Sequence, residues 1–199
     1  MLFRSAGTDR TYALEGSIFV AGAAVQWLRD GLGLLTDSAE SEALARSVDS
    51  TDGVYFVPAL TGLGSPHWAP DARGLVCGIT RGTRREHLVR AALEAMAYQV
   101  LDVVDALPER PAVLRVDGGA SANGFLVQFL ADVLACPVEV AAERETTALG
   151  AAALAGVAVG RWTRDDVASF RRTSSRCEPQ RDVTELVAGW RDALRRTMV

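Results

Sequence analysis

The clearest chemical possibility in the chain lies in ten residues, Leu114-Arg115-Val116-Asp117-Gly118-Gly119-Ala120-Ser121-Ala122-Asn123. Two adjacent glycines stand where an aliphatic run ends and a helical pattern is about to begin. In open α/β sheets, ligands gather at the carboxyl ends of strands. Glycines at that point let a ligand approach the main chain without meeting a Cβ. The helix that follows offers unpaired N–H groups and a partial positive charge. Asn123, read as a first-turn residue, brings an amide to the same space. On these residues alone a plain strand-to-helix turn, with Ser121 capping a helix over 121–134, is the simpler reading.

Other residue types that do chemistry are sparse. His67 and His87 are the only histidines. They lie 20 positions apart with no carboxylate spacing that suggests a triad, so both read as structural or exposed. Cys77, Cys136 and Cys177 form no CxxC pair, which argues against a zinc site or a disulfide framework. Asp117 reads as a turn residue after a strand. Trp68 reads as an anchor that packs its loop, with a stacking surface as the alternative. Glu94 and Glu145 read as polar residues at helix starts or domain contacts.

These residues need elements to hold them. A turn-rich cluster, Ala6-Gly7-Thr8-Asp9, predicts a short hairpin flanked by Leu2-Phe3 and Tyr12-Ala13-Leu14. An apolar helix is predicted over 17–28, ended by Gly31 and Gly33, and a polar one over 38–48 with Ser38 as N-cap. Strands are predicted at 54–57 and 75–80, joined by a segment too rich in glycine and proline for either regular state. Leu88, Ala91, Ala92, Ala95, Val100, Leu101 and Val104 recur at helical spacing and predict a helix over 85–107. Strands at 113–116 and 137–140, a helix of small residues over 146–157 and an amphipathic helix over 182–197 complete the pattern. The alternation of strands and helices indicates an α/β layer fold.

Composition narrows the function classes. Apolar residues make up 49% and charged residues 23% of 199, ordinary for a soluble globular protein with a sizeable core. The formal net charge of −4 gives no field for nucleic acid. No run reaches the ~18 apolar residues of a membrane span. Met1-Leu2-Phe3-Arg4 holds no apolar signal-peptide core, so a cytoplasmic location is the default expectation.

A longer block adds what spacing cannot. Gly62-Leu63-Gly64-Ser65-Pro66-His67-Trp68-Ala69-Pro70-Asp71-Ala72-Arg73-Gly74 is followed by Gly78-Ile79-Thr80-Arg81-Gly82-Thr83. Next come His87, Leu88, Ala91, Ala92, Leu93 and Glu94 in that order. Together these resemble the C-terminal domain of the FGGY carbohydrate kinases, and within the family the glycerol kinases. Tyr12-Ala13-Leu14-Glu15-Gly16-Ser17-Ile18-Phe19, then residues 21–29, and Thr146-Thr147-Ala148-Leu149-Gly150-Ala151-Ala152 extend the likeness over residues 2–162. Many blocks in order are a more specific signal than one motif.

The resemblance implies an actin-like (ribonuclease-H-like) α/β domain with a mixed sheet flanked by helices, residues 1–162, and a helical extension of the same domain over 163–199. In the family ATP lies in a cleft between two such domains, with Mg²⁺. By position the nucleotide contacts are Gly22 and Gln26 on the first helix and Gly118, Gly119 and Asn123 at the glycine pair. The family's catalytic aspartate, its substrate residues and its phosphate loops, including a Gly-Thr-Gly segment, find no counterpart here. The resemblance therefore implies a domain lacking its opening strand, a fragment or half of a split enzyme, inactive alone. It would show poor stability or self-association in isolation. A complementing N-terminal half, a homo-oligomer and glycerol or a related polyol or sugar are the implied partners. The alternatives are a non-catalytic nucleotide- or partner-binding remnant, or half of another sugar kinase such as a xylulose kinase.

Overall fold

Alternation on either side of the turn cluster produces an antiparallel hairpin, β1 (Leu2–Ala6) and β2 (Asp9–Ala13), with Leu2 opposite Ala13 and Phe3 opposite Tyr12. Its turn, Gly7 and Thr8, lies outside residues 2–6 and 9–198, which the computed structural model describes. The chain divides into two compact units, Met1–Arg110 with Thr184–Val199, and Pro111–Val183.

The first helix, α1 (Gly22–Asp30), begins five residues later than the expected Ser17. Backbone groups of Ser17 and Val20 are committed elsewhere. Ser17 N–H donates to the Ser65 hydroxyl at 3.0 Å, Ser65 N–H returns to the Ser17 carbonyl at 2.8 Å, and the Val20 carbonyl accepts from Gln99 Nε2 at 3.0 Å. Groups already satisfied by distant partners gain little from helix formation. The next helix, α2 (Glu40–Arg46), is also shorter than expected, and Ser38 is not its N-cap. The Ser38 hydroxyl instead accepts from Arg29 Nη1 at 3.2 Å, while the Asp37 carboxylate takes the Ala39 N–H at 2.8 Å.

Strands β3 (Tyr55–Val57) and β4 (Leu75–Cys77) pair antiparallel across the irregular segment between them. That loop is tied to itself by paired main-chain bonds between Leu63 and Ala69. The long helix α3 (Arg85–Asp105) is buried on nearly every face, from Val89 through Leu93, Ala97 and Tyr98 to Val104. A helix apolar all round is the centre of a core rather than its border. Within α3 the Arg90 guanidinium meets the Glu94 carboxylate at 2.9 Å, both buried, and donates to the Ala45 carbonyl at 3.4 Å and to the Val48 carbonyl. Glu94 therefore stands in mid-helix rather than at a helix start, and pairs with the arginine that ties α2 to α3.

The last helix, α7 (Thr184–Thr197), completes this unit. Trp190 is fully buried, stacked on Tyr98 at 5.3 Å, and its indole N–H donates to the Asp102 carboxylate at 2.9 Å. A Cβ on the preceding Gly189 would lie 2.2 Å from the Tyr55 hydroxyl oxygen, so the Gly-Trp pair is what lets α7 sit this close. Asp102 also receives His67 Nε2 at 3.5 Å, and Arg191, which pairs with Asp105 at 3.0 Å, lies near. Desolvation pushes the Asp102 carboxyl above its ordinary 3.8, opposed by the bonds from Trp190 and His67. A raised folded value means that this group's contribution to stability is fully present below about pH 3.8 and is lost as pH rises through the raised value. Asp102→Asn keeps an acceptor for Trp190 without the charge. It is expected to melt above wild type at pH 7, with the gap narrowing as pH falls towards 4. A lower melting temperature at pH 7 would contradict this.

In the second unit a mixed three-stranded sheet, ordered β5-β6-β7, carries the helices. β5 (Leu114–Val116) runs parallel to β6 (Val138–Ala141), and β7 (Thr173–Cys177) runs antiparallel to β6. Between β5 and β6 lie a 3₁₀ turn, Gly119–Ala122, and α4 (Gly124–Leu134). After β6 come α5 (Thr146–Ala158) and α6 (Arg164–Ser169). Strand β7 and helix α6 fall in the stretch read as merely polar. β7 is Thr-Ser-Ser-Arg-Cys and exposed along most of its length, so it has no apolar alternation to announce it. It is held by its register with β6 and by Arg176, which meets Glu139 at 2.8 Å.

Candidate functional site

The glycine pair sits at the carboxyl end of β5, as its position after an aliphatic run requires. Gly118 has φ +78° and ψ −179°, a conformation essentially reserved for glycine. Its N–H donates to the Arg144 carbonyl at 3.3 Å, and its carbonyl accepts from Ser121 twice, from the hydroxyl at 2.7 Å and from the N–H at 3.2 Å. A Cβ built on either Gly118 or Gly119 would find no described atom within 4 Å. The bend is therefore open main chain rather than a packed corner, as a ligand lying against it demands.

Asn123 corrects the sequence expectation. It is the N-cap of α4, not a first-turn residue, and its Oδ1 accepts the Leu126 N–H at 3.0 Å. Ser121 belongs to the 3₁₀ turn and caps nothing in α4. The helix starts at Gly124 because Asn at the N-cap satisfies an otherwise orphaned N–H and the 3₁₀ turn uses up residues 119–122. Oδ1 serves the cap, and Nδ2 is the donor end of the same amide.

Asp117, next to the pair, is tied across the unit. The Thr146 hydroxyl, on the first residue of α5, donates to Asp117 Oδ2. A cavity of about 400 Å³ opens beside this bond, lined by Val116, Leu149, Ala153, Phe170 and Arg171. Sequence reasoning missed Thr146 and Arg144 as supports of the bend. Their partners are 29 and 26 positions away, and a threonine at a helix start is ordinary on local grounds.

Gly22 and Gln26 lie in the other unit, at the start of α1 and one turn on, both exposed on one face of the helix. Nothing described lies within 4 Å of a Cβ on Gly22. The five expected contact residues thus fall into two sets, each on an open stretch of its own unit.

The remaining candidates have structural work. His87 Nδ1 accepts the Arg84 N–H at 3.0 Å and closes a capping box at the start of α3. His67 meets Asp102, as above. Glu145 stands at the N-cap of α5 with no side-chain cap bond. Trp68 is not a buried anchor. It is 63% exposed with φ +50°, and its ring meets the edge of Phe19 at 6.2 Å, because the tight Gly64–Trp68 turn throws the side chain outward. Among the described residues no cluster of three or more His, Cys, Asp or Glu could hold a metal ion, and no helix is long and apolar enough to cross a membrane.

Comparison with known proteins gives this geometry a context. Residues 2–159 match the FGGY family of carbohydrate kinases, C-terminal domain. Over 195 residues the chain is 55% identical to the glycerol kinase of Geobacillus kaustophilus, an alignment covering 94% of this chain and 39% of that protein. A crystal structure of Plasmodium falciparum glycerol kinase with ADP superposes with a TM-score of 0.82 at 36% identity, over 92% of this chain and 38% of that one. A xylulose kinase from Rhodospirillum rubrum gives 0.72 at 28% identity, over 89% and 38%. The chain spans about 39% of the length of the curated relatives it matches.

Proposed function

The chain belongs to the FGGY family of carbohydrate kinases, and on that premise we propose that it is the nucleotide-binding C-terminal domain of a glycerol kinase. Its α/β architecture is the actin-like ATPase fold of that family. The reaction proposed for the whole protein is ATP with glycerol, giving glycerol 3-phosphate and ADP. A glycerol hydroxyl attacks the γ-phosphorus in line, and catalysis consists of positioning and charge stabilisation around the transferring group.

In this proposal the chain's own residues handle the adenosine end. Gly118 and Gly119 supply bare main chain, Asn123 a donor from Nδ2, and Gly22 and Gln26 the contacts from α1. The base that accepts the hydroxyl proton, and the glycerol pocket, are assigned to the part of the relatives outside the matched span. Mg²⁺, which the family implies, usually rides on the nucleotide phosphates with one or two carboxylates. Among the described residues no three or more His, Cys, Asp or Glu gather as a metal site of the chain's own. Glycerol is preferred to a xylulose-type sugar because identity falls from 55% and 36% for the two glycerol kinases to 28% for the xylulose kinase.

The observation that carries this reading is the open, glycine-only bend at the strand exit. Calorimetry of the chain with ADP tests it. Binding is expected to be weak, with Kd roughly 0.1–1 mM, because only the adenosine side is engaged. Asn123→Asp keeps the cap acceptor for Leu126 but replaces the donor with an anion. It is expected to weaken ADP about tenfold or more while leaving the melting temperature near wild type. Unchanged affinity removes Asn123 from the site, and absence of any heat of binding in wild type removes the assignment.

A further inference from the structure

Building on the nucleotide reading of the glycine bend, we propose that Asp117 is a positioning residue, whose carboxylate, held by the Thr146 hydroxyl, fixes Gly118-Gly119 in the shape that receives the nucleotide. Read locally, Asp117 is a turn residue, and the family likeness assigns it no task. Two adjacent glycines are the most permissive pair of residues a chain can place. Left to themselves they sample many bends, and a ligand that needs one of them loses affinity to the ordering cost. Side-chain packing does not hold the pair here, since nothing described lies within 4 Å of where either Cβ would be. Hydrogen bonds must hold it.

Those bonds come from two sides. On the α4 side, Ser121 grips the Gly118 carbonyl through hydroxyl and N–H at 2.7 and 3.2 Å. On the α5 side, the Arg144 carbonyl accepts the Gly118 N–H at 3.3 Å, and the Thr146 hydroxyl donates to the Asp117 carboxylate one residue before the pair. Thr146 opens a 13-residue helix whose Ala153 is buried, so the tether ends on a regular element rather than on a loop. The α5-side side-chain bond is the one that fixes the direction in which β5 delivers its last residue into the bend. Asp117 itself is exposed, so its bond adds little to global stability and its removal leaves the unit folded.

Calorimetric titration of ADP into the chain, with Thr146→Val, Asp117→Ala, the double variant and Thr146→Ser, tests this. Each single loss is expected to raise Kd about three- to tenfold with little change in melting temperature. The double variant is expected to be no worse than either single one, and Thr146→Ser, which keeps the hydroxyl, is expected to restore wild-type affinity. Hydrogen exchange of the peptide spanning 118–123, without nucleotide, is expected to speed up in Thr146→Val and not in Thr146→Ser. Wild-type binding with an unaltered Thr146→Val affinity overturns the proposal and leaves the nucleotide reading standing. Additive losses in the double variant, or failure of Thr146→Ser to rescue, overturn it as well. A wild-type chain that takes up no ADP overturns the nucleotide reading, and this proposal with it.

Discussion

Gly118→Ala is expected to lower ADP affinity by more than tenfold, the largest functional loss available from a single methyl group in this chain. The methyl itself meets nothing, because the space around the Cβ position is empty. The cost is in the backbone. At φ +78° and ψ −179° an L-residue is strained by about 1–3 kcal/mol, and the relaxed alternative swings the Gly119 N–H and carbonyl out of their present directions. Gly119→Ala separates the two effects. It carries no such φ, so it leaves stability near wild type, yet it places a methyl where the nucleotide is proposed to lie. Calorimetry and thermal melting of both variants check this. Equal ADP affinity in Gly119→Ala and wild type would mean that the space in front of the bend is not used.

The largest expected loss of stability is elsewhere, in the first unit. Glu94→Ala strips the carboxylate from a guanidinium that is 6% exposed and leaves the Tyr98 hydroxyl, which donates to Glu94 at 3.2 Å, without that acceptor. Breaking a buried pair from one side costs about 3–5 kcal/mol, since the surviving charge stays out of water. That is a large share of the ~5–15 kcal/mol that holds a typical domain together. Arg90→Met with Glu94→Leu is expected to recover part of the loss and not all of it, because the Ala45 and Val48 carbonyls lose their donor. Urea unfolding followed by circular dichroism reads both. A loss below about 1 kcal/mol for Glu94→Ala would show that water reaches the pair.

Much of the architecture was legible because local and tertiary preferences agree. The 85–105 helix, the strands at 114–116 and 138–141 and the small-residue helix from Thr146 each follow from periodicity and from breakers at their ends. Where the reading failed, a distant partner had overruled the local signal. Ser17 to Ala21 look helical, but main-chain groups of Ser17 and Val20 are bound to Ser65 and Gln99. Glu94 reads as a polar residue at a helix start or domain contact until Arg90 and Tyr98 close around it in mid-helix. β7 shows no alternation because only one of its edges is held and its faces are wet.

The candidate site divides the same way. The position of the glycine pair was visible, since a strand exit followed by a helix is a local pattern. The role of Asn123 was misplaced by one element, because a 3₁₀ turn of four residues intervenes and moves the true helix start to Gly124. The tether from Thr146 to Asp117 was invisible, since it joins two helix- and strand-end residues through a side chain and depends on β5 and β6 lying side by side. The family likeness supplied the ligand class, which neither the bend nor its supports could name.

The most direct measurement is an ADP titration followed residue by residue through backbone amide NMR signals. The account predicts that the signals of Gly118, Gly119 and Asn123 shift together with one saturating curve. Saturable binding that leaves Gly118 and Gly119 unmoved while other residues shift would place the nucleotide elsewhere and contradict it.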